Sequence, residues 1–234
     1  MGINLLIATF VCASTAVVYG SFRPSPAFYN RVAQTWARWI LWASAVRVRL
    51  VGLENLSLEE PQIVAANHVS WYDVFALAAT LPKRFRFIAK IELARIPIFG
   101  RAWIAAGHIA VDRRDHQAAV AALDAAATAM RADHSVVVIF PEGTRSGSSA
   151  MLPFKKGAFM MSLRTGVAIV PTAVIGSRRV LPKGGWRVCS GEIIVRFGAP
   201  VSPASYSEDT RDELVQRVRS EIAAMIAAPA PSTE

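Results

Sequence analysis

Residues 108 to 140 restrict the possible folds more than any other part of this chain. His108 to Val111 reads as a short strand and Asp115 to Arg131 as an alanine-rich helix with Val120, Leu123, Ala127 and Met130 on one face. Ser135 to Phe140 then reads as a strand carrying five consecutive apolar residues after the serine. Strand, helix and strand in that order favour a parallel crossover, which requires helices packed on a sheet. The rest of the chain agrees. Val46 to Val51 alternates with Arg47 and Arg49 as a half-exposed strand, Ile63 to Ala66 is a short buried one, and Phe85 to Ala89 is another, with Lys83, Arg84 and Arg86 around it. Glu92 to Ala106 is helical in parts, with interruptions expected at Pro97 and Gly100. Lys155 to Arg164 forms a helix closed by Gly166, and Val167 to Ile175 is a strand containing Pro171. Val188 to Phe197 adds a strand, and Ser207 to Ala228 a helix burying Leu214, Val218, Ile222 and Met225. The expected class is α/β, with a mixed, largely parallel sheet flanked by helices. No internal repeat is present.

At 234 residues the chain can bury one sizeable core with a small appendage. The appendage is expected over residues 1–44, the body over 45–228, and a disordered tail over 229–234. Ile3 to Gly20 holds no charged residue, and as a helix it would reach roughly 27 Å, close to the hydrocarbon thickness of a bilayer. Only the terminal amine precedes it and Arg23 follows, which argues against a cleaved signal. Pro24 and Pro26 break the segment. From Arg31 to Leu50, Trp36, Trp39 and Trp42 are interleaved with Arg31, Arg38, Arg47 and Arg49, a mixture suited to the headgroup level. A membrane-associating helical hairpin is therefore expected, with two helices packed on a soluble core as the alternative. If Arg23, Arg31 and Arg38 follow the positive-inside bias, the body lies on the cytoplasmic face of the membrane.

Hydrophobic residues make up 53% and charged ones 18%, a balance tilted toward a membrane surface. The net charge of +9 implies an anionic partner. Nucleic acid is not indicated, because the basic residues are scattered among apolar strands without a recognised fingerprint. Cys12 and Cys189 suggest neither a disulfide framework nor a metal site, and His68, His108, His116 and His134 show no metal-binding spacing. No metal is expected.

Two stretches carry chemistry. Asn67 to Asp73 lies between the apolar runs 63–66 and 74–79, where a strand turns into a helix. A carboxylate bonded to one nitrogen of His68 would leave the other to accept a proton from a hydroxyl. Taken alone, the pair fits equally a helix-capping histidine and a solvated acid in the first turn. Phe140-Pro141-Glu142-Gly143-Thr144-Arg145-Ser146 follows directly on a strand and would emerge from the sheet as a turn, in the crevice where open α/β sheets bind ligands. Gly143 permits a backbone conformation that other residues resist, and Arg145 offers a planar fork matched to phosphate oxygens. Glu142 and Arg145 would equally make a surface ion pair.

Together, Asn67-His68 with Asp73 has the form of the NHxxxxD motif and Phe140 to Arg145 that of the FPEGTR motif, in that order. The chain thereby resembles the 1-acylglycerol-3-phosphate acyltransferases, the PlsC-type branch of the glycerolipid acyltransferases. Gly107 to Arg113 is similar to the family's second block and Ile169-Val170-Pro171 to its fourth, so the resemblance runs over about Val46 to Gly198. It implies the glycerolipid acyltransferase fold. It also implies that His68 is a general base oriented by Asp73, and that Arg113, Glu142, Gly143, Thr144 and Arg145 bind the acceptor's phosphate. No cofactor is implied; the partners would be a lysophospholipid acceptor, an acyl-CoA or acyl carrier protein donor, and the bilayer. His108 departs from the second block and fits an ordinary strand residue as well as a ligand contact. Ser70 lacks a nucleophile elbow. Lys90, Lys155 and Lys156 would add positive charge for phosphates or stay solvated.

Overall fold

The structure, a computed structural model, describes residues 2–112, 114–148 and 150–229. Two antiparallel helices open the chain, α1 (Gly2–Phe22) and α2 (Pro26–Ala43), linked across their middles by Trp36 Nε1 donating to Thr9 Oγ1 at 3.0 Å. The tryptophan-rich stretch is helical only to Ala43, after which β1 (Val46–Val51) begins. The body continues through β2 (Gln62–Ala66), α3 (Tyr72–Thr80), β3 (Phe85–Lys90), α4 (Ile91–Ala94), α5 (Phe99–Ala105) and β4 (Ile109–Val111). It ends through α6 (His116–Asp133), β5 (Val136–Ile139), α7 (Gly157–Thr165), β6 (Ile169–Ile175), α8 (Ser177–Val180), β7 (Gly191–Phe197) and α9 (Arg211–Ala227).

The strands form one sheet in the order β1-β7-β6-β2-β5-β3-β4, with every neighbouring pair parallel except β6 and β7. The crossover from β4 through α6 passes over β3 and enters the sheet at β5. Alternate residues of the central strands feed opposite cores. Val64, Ala66, Val136 and Val138 face α2, α3 and α5, while Ile63, Ala65, Val137 and Ile139 face α6, α7 and α9. Ala37, Ile40 and Leu41 of α2 belong to the first core, so the second helix packs on the sheet domain. α1 lies outermost, against α2 and α5, and leaves Leu6 71% and Phe10 61% exposed. Of the tail expected over 229–234, all but Pro229 lies outside the described residues.

Several boundaries differ from the sequence expectation. Gly100 does not interrupt a helix; it lies inside α5, where a Cβ would sit 2.0 Å from the Ala94 carbonyl oxygen, so it is the close approach of α4 that requires glycine. The last helix starts at Arg211 rather than at Ser207, because residues 207–210 form a turn of their own, in which Ser207 donates its amide to Thr210 Oγ1 at 2.8 Å. Pro171 occupies an interior strand without cost. Its carbonyl accepts from Gly198 just beyond the end of β7, so the missing N–H falls where that ladder stops.

At the amino-terminal ends of β3 and β5, Arg86 is buried and donates to both carboxylate oxygens of Asp133 and to Ser135 Oγ, while Arg84 adds a second ion pair to Asp133. Beside this cluster His108 is a buried strand-edge residue whose Nδ1 accepts from the Phe87 amide at 3.1 Å. Burial, reinforced by the Arg86 charge, pushes its pKa down from 6.5 to about 3. The unfolded chain therefore takes up this proton near pH 6.5 and the folded chain only near pH 3, so the stability held above pH 6.5 is lost as pH falls through that window. Denaturant titrations of the wild type between pH 7.5 and 5.5 should show a loss of about 1.4 kcal/mol per unit below pH 6.5. His108→Gln, which keeps an acceptor for Phe87 but does not titrate, should flatten that slope. An unchanged slope in the variant would assign the proton elsewhere.

Candidate active site

β2 and β5 lie side by side with Ala65 opposite Ile139, so the segments after them leave the sheet together at its carboxyl edge. After β2, the Asn67 side chain replaces the next ladder pair: Nδ2 donates to the Val174 carbonyl at 3.0 Å and Oδ1 accepts from the Val174 amide at 2.7 Å. The chain is thereby held against β6 while it turns. Residues 68–71 are folded back over the start of α3, and Asp73, in its first turn, is fully buried. Its Oδ2 accepts from the amides of Val69 and Ser70 and lies against His68 Nδ1, each at 2.8 Å. A straight helix would set residues five apart about 140° from each other. The expected bend is present, and it is what joins the pair.

With Nδ1 held by a carboxylate, the tautomer with the proton on Nδ1 is favoured and Nε2 is left as an acceptor. The imidazole also stacks on Phe140, with ring centroids 4.0 Å apart and planes 18° from parallel, so its tilt is set as well.

The second turn clasps the first. Gly143 takes a φ of +74°, which lets the chain reverse after Glu142. Glu142 is buried; Oε1 accepts from the His68 amide at 2.7 Å and Oε2 from the Leu152 amide at 2.8 Å. Burial raises its pKa, opposed by those two bonds. The Ser146 amide donates to the His68 carbonyl at 2.7 Å. Both backbone polar groups of His68 are thus bound by the other turn. The sequence expectation set Glu142 on the acceptor's phosphate, whereas here both of its oxygens are occupied by backbone N–H groups.

His68, Gly143, Thr144 and Arg145 line one groove of about 720 Å³ that runs from the carboxyl edge of the sheet between α1, α2 and the α4–α5 turn. The Arg145 guanidinium sits 5.0 Å from the centre of the Trp71 ring, a cation–π contact that fixes it at the groove mouth. Lys90 lines the same groove, whereas Lys156 pairs with Asp212 on the outside. Arg113 lies outside the described residues. The sequence reading assigned no site role to Asn67, Phe140, Ser146 or Lys183, which donates to the Arg145 carbonyl at 2.8 Å. The first two stand in the motifs and Ser146 ends the second chemical stretch; nothing in the sequence pattern marks Lys183.

The family model described as Acyltransferase matches residues 47–175. The 1-acyl-sn-glycerol-3-phosphate acyltransferase of Cocos nucifera is 30% identical over 189 residues, covering 81% of this chain and 61% of the relative. Its counterpart in Saccharomyces cerevisiae is 35% identical over 178 residues, covering 75% and 58%. The chain thus spans between about half and two thirds of the length of the curated relatives it matches. The crystal structure of the 1-acyl-sn-glycerophosphate acyltransferase PlsC from Thermotoga maritima superposes with a TM-score of 0.67 at 26% identity, over 98% of this chain and 99% of that one. Matched over more than half its length by that model, with both motifs inside or at the end of the parallel core that the match covers, the chain belongs to the Acyltransferase family.

Proposed function

We propose that this protein transfers a fatty acyl chain from an acyl thioester, acyl-CoA or acyl carrier protein, to the free hydroxyl of lysophosphatidic acid, giving phosphatidic acid. The observation that carries the reading is the 2.8 Å pair of His68 Nδ1 and Asp73 Oδ2 in a groove that also presents Thr144 and Arg145. His68 Nε2 takes the hydroxyl proton as the oxygen attacks the thioester carbonyl. The tetrahedral intermediate then collapses, the C–S bond breaks, and the imidazolium returns the proton to the departing thiolate. Asp73 holds the ring and stabilises its charged form. No covalent acyl-enzyme is required.

Arg145 and Thr144 bind the acceptor's phosphate, and Gly143 shapes the turn that presents them. Arg113, from the second block, is proposed for the same phosphate on the family resemblance. Glu142 serves through the backbone, since a carboxylate facing a phosphate would repel it. The apolar end of the groove takes acyl chain. Among the described residues one helix, α1, is long and apolar enough to cross a membrane, and its exposed Ile3, Leu6, Phe10 and Phe22 fit hydrocarbon. The body then lies at the cytoplasmic face.

Purified protein given lysophosphatidic acid and acyl-CoA or acyl carrier protein donors should form phosphatidic acid, read by mass spectrometry. Preferential acylation of another lysolipid, such as lyso-ornithine lipid, would reassign the acceptor. Fatty acid release without an acceptor would make the protein a hydrolase. Arg145→Ala should raise KM for lysophosphatidic acid about tenfold or more, the worth of a charge-assisted hydrogen bond, and leave KM for the donor nearly unchanged. Equal KM values in variant and wild type would remove Arg145 from the phosphate.

A further inference from the structure

Between Gly176 and Gly191 the chain carries Arg178, Arg179, Lys183 and Arg187 and no acidic residue. Past α8 the turn from Pro182 to Arg187 stands in solvent, and Trp186 within it is 91% exposed. An indole held in water is unfavourable unless something covers it. Trp186 is also one of five exposed apolar side chains on the same groove: Leu5 and Leu6 of α1 are 40% and 71% exposed, Trp71 of the histidine turn 40%, and Ile96 before α5 44%. These come from four separate stretches of sequence, so the apolar rim is a product of the fold rather than of one local run.

The turn and α8, which leads into it, are together bonded to both halves of the site. Lys183 Nζ donates to the Arg145 carbonyl at 2.8 Å, Arg178 to the Gly147 carbonyl at 3.2 Å, and Ser70 Oγ to the Leu181 carbonyl at 2.7 Å. Whatever positions the 182–187 turn is therefore linked to the histidine turn and the Glu142–Arg145 turn alike.

We infer that the 182–187 turn is a membrane-docking lip. Trp186 enters the boundary between headgroups and acyl chains at the groove mouth, and Arg179, Lys183 and Arg187 engage anionic headgroups. A bilayer suits this surface because an indole flanked by cations needs an apolar layer beneath a negative one. It is also continuous with the exposed apolar side of α1, through Leu6 on the same rim. An acidic protein would satisfy the cations and leave the apolar rim in water. The inference requires a membrane surface but not the acyl-transfer reaction, and its test reads position rather than turnover.

The full chain with Trp186→Cys, Cys12→Ala and Cys189→Ser, labelled with an environment-sensitive NBD group on the introduced thiol, is mixed with phosphatidylcholine vesicles containing phosphatidylglycerol. The label should shift to the blue and be quenched by nitroxide lipids, while the same label at Ser220→Cys, exposed on α9 across the sheet, stays in water. Arg179→Gln with Arg187→Gln, or vesicles of phosphatidylcholine alone, should lower the partition of the turn about fivefold for each cation that no longer meets an anionic headgroup. A label that stays in water on protein co-sedimenting with vesicles would overturn the inference. So would a failure to co-sediment, or shielding by holo-acyl carrier protein and not by lipid. Equal quenching with and without phosphatidylglycerol would overturn the role of the cations.

Discussion

His68→Ala is expected to lower kcat for acyl transfer by about 10²–10⁴, the usual contribution of a positioned general base, in a protein that still folds. The side chain is partly exposed at the groove and its backbone contacts to Glu142 and Ser146 do not depend on it. Circular dichroism and thermal unfolding should therefore stay close to wild type. Turnover within a few-fold of wild type would remove His68 as the base. Asp73→Asn is a sharper test. The amide oxygen can occupy the place of Oδ2 and accept from His68, Val69 and Ser70, so the tautomer is kept. The amide nitrogen must then occupy the place of Oδ1, which is buried without a hydrogen-bond partner among the described residues. The variant loses the negative charge that stabilises the imidazolium and buries a new N–H donor with no acceptor to receive it. Its kcat should fall by about 10² or more with KM little changed, and its melting temperature should drop as well.

Glu142→Gln should be nearly as damaging, although the residue touches no substrate in the proposed mechanism. Each carboxylate oxygen accepts one backbone N–H, from His68 at 2.7 Å and Leu152 at 2.8 Å. Glutamine offers one oxygen and one NH₂, so one of the two buried amides meets a donor instead of an acceptor. The cost is about 1–3 kcal/mol for an unsatisfied buried group, which for a chain of this size lowers the melting temperature by roughly 2–12 °C. A displacement of the His68 turn by about 1 Å is enough to cost 10² in rate. The expected result is a large fall in kcat with little change in KM for either substrate. A variant with normal kcat and a raised KM for lysophosphatidic acid alone would return Glu142 to the acceptor's phosphate.

Most elements of the fold are legible because they obey local rules, α8 being one that the pattern does not show. Alternation or an unbroken apolar run marks β1, β2 and β5; helical spacing marks α6 and α9; and Gly166 closes α7 in the left-handed conformation, as its position indicates. At Gly100 and Arg86, the cause of the difference is a contact that a linear pattern does not show. Gly100 looked like a break because the approach of Ala94 to its backbone cannot be seen in a linear pattern. Arg86 stood among basic residues flanking a strand, yet it is buried, since its partner Asp133 arrives from the end of α6.

At the site, the amino-acid sequence by itself determined the chemical groups and their order: a histidine and a carboxylate at a strand-to-helix junction, and later an acid, a glycine, a hydroxyl and a guanidinium at the end of another strand. It also determined the bend between His68 and Asp73, because five residues of straight helix cannot bring the two together. The tertiary structure decided what those groups do to one another. Only the pairing of β2 with β5 sets the two turns side by side, and only then do Glu142 and Ser146 reach the amide and carbonyl of His68 and Phe140 lie flat against its ring. Strand order in a parallel sheet is set by which apolar faces bury together under the helices, a property of the whole core, so the partner of a catalytic turn cannot be read from the residues within it.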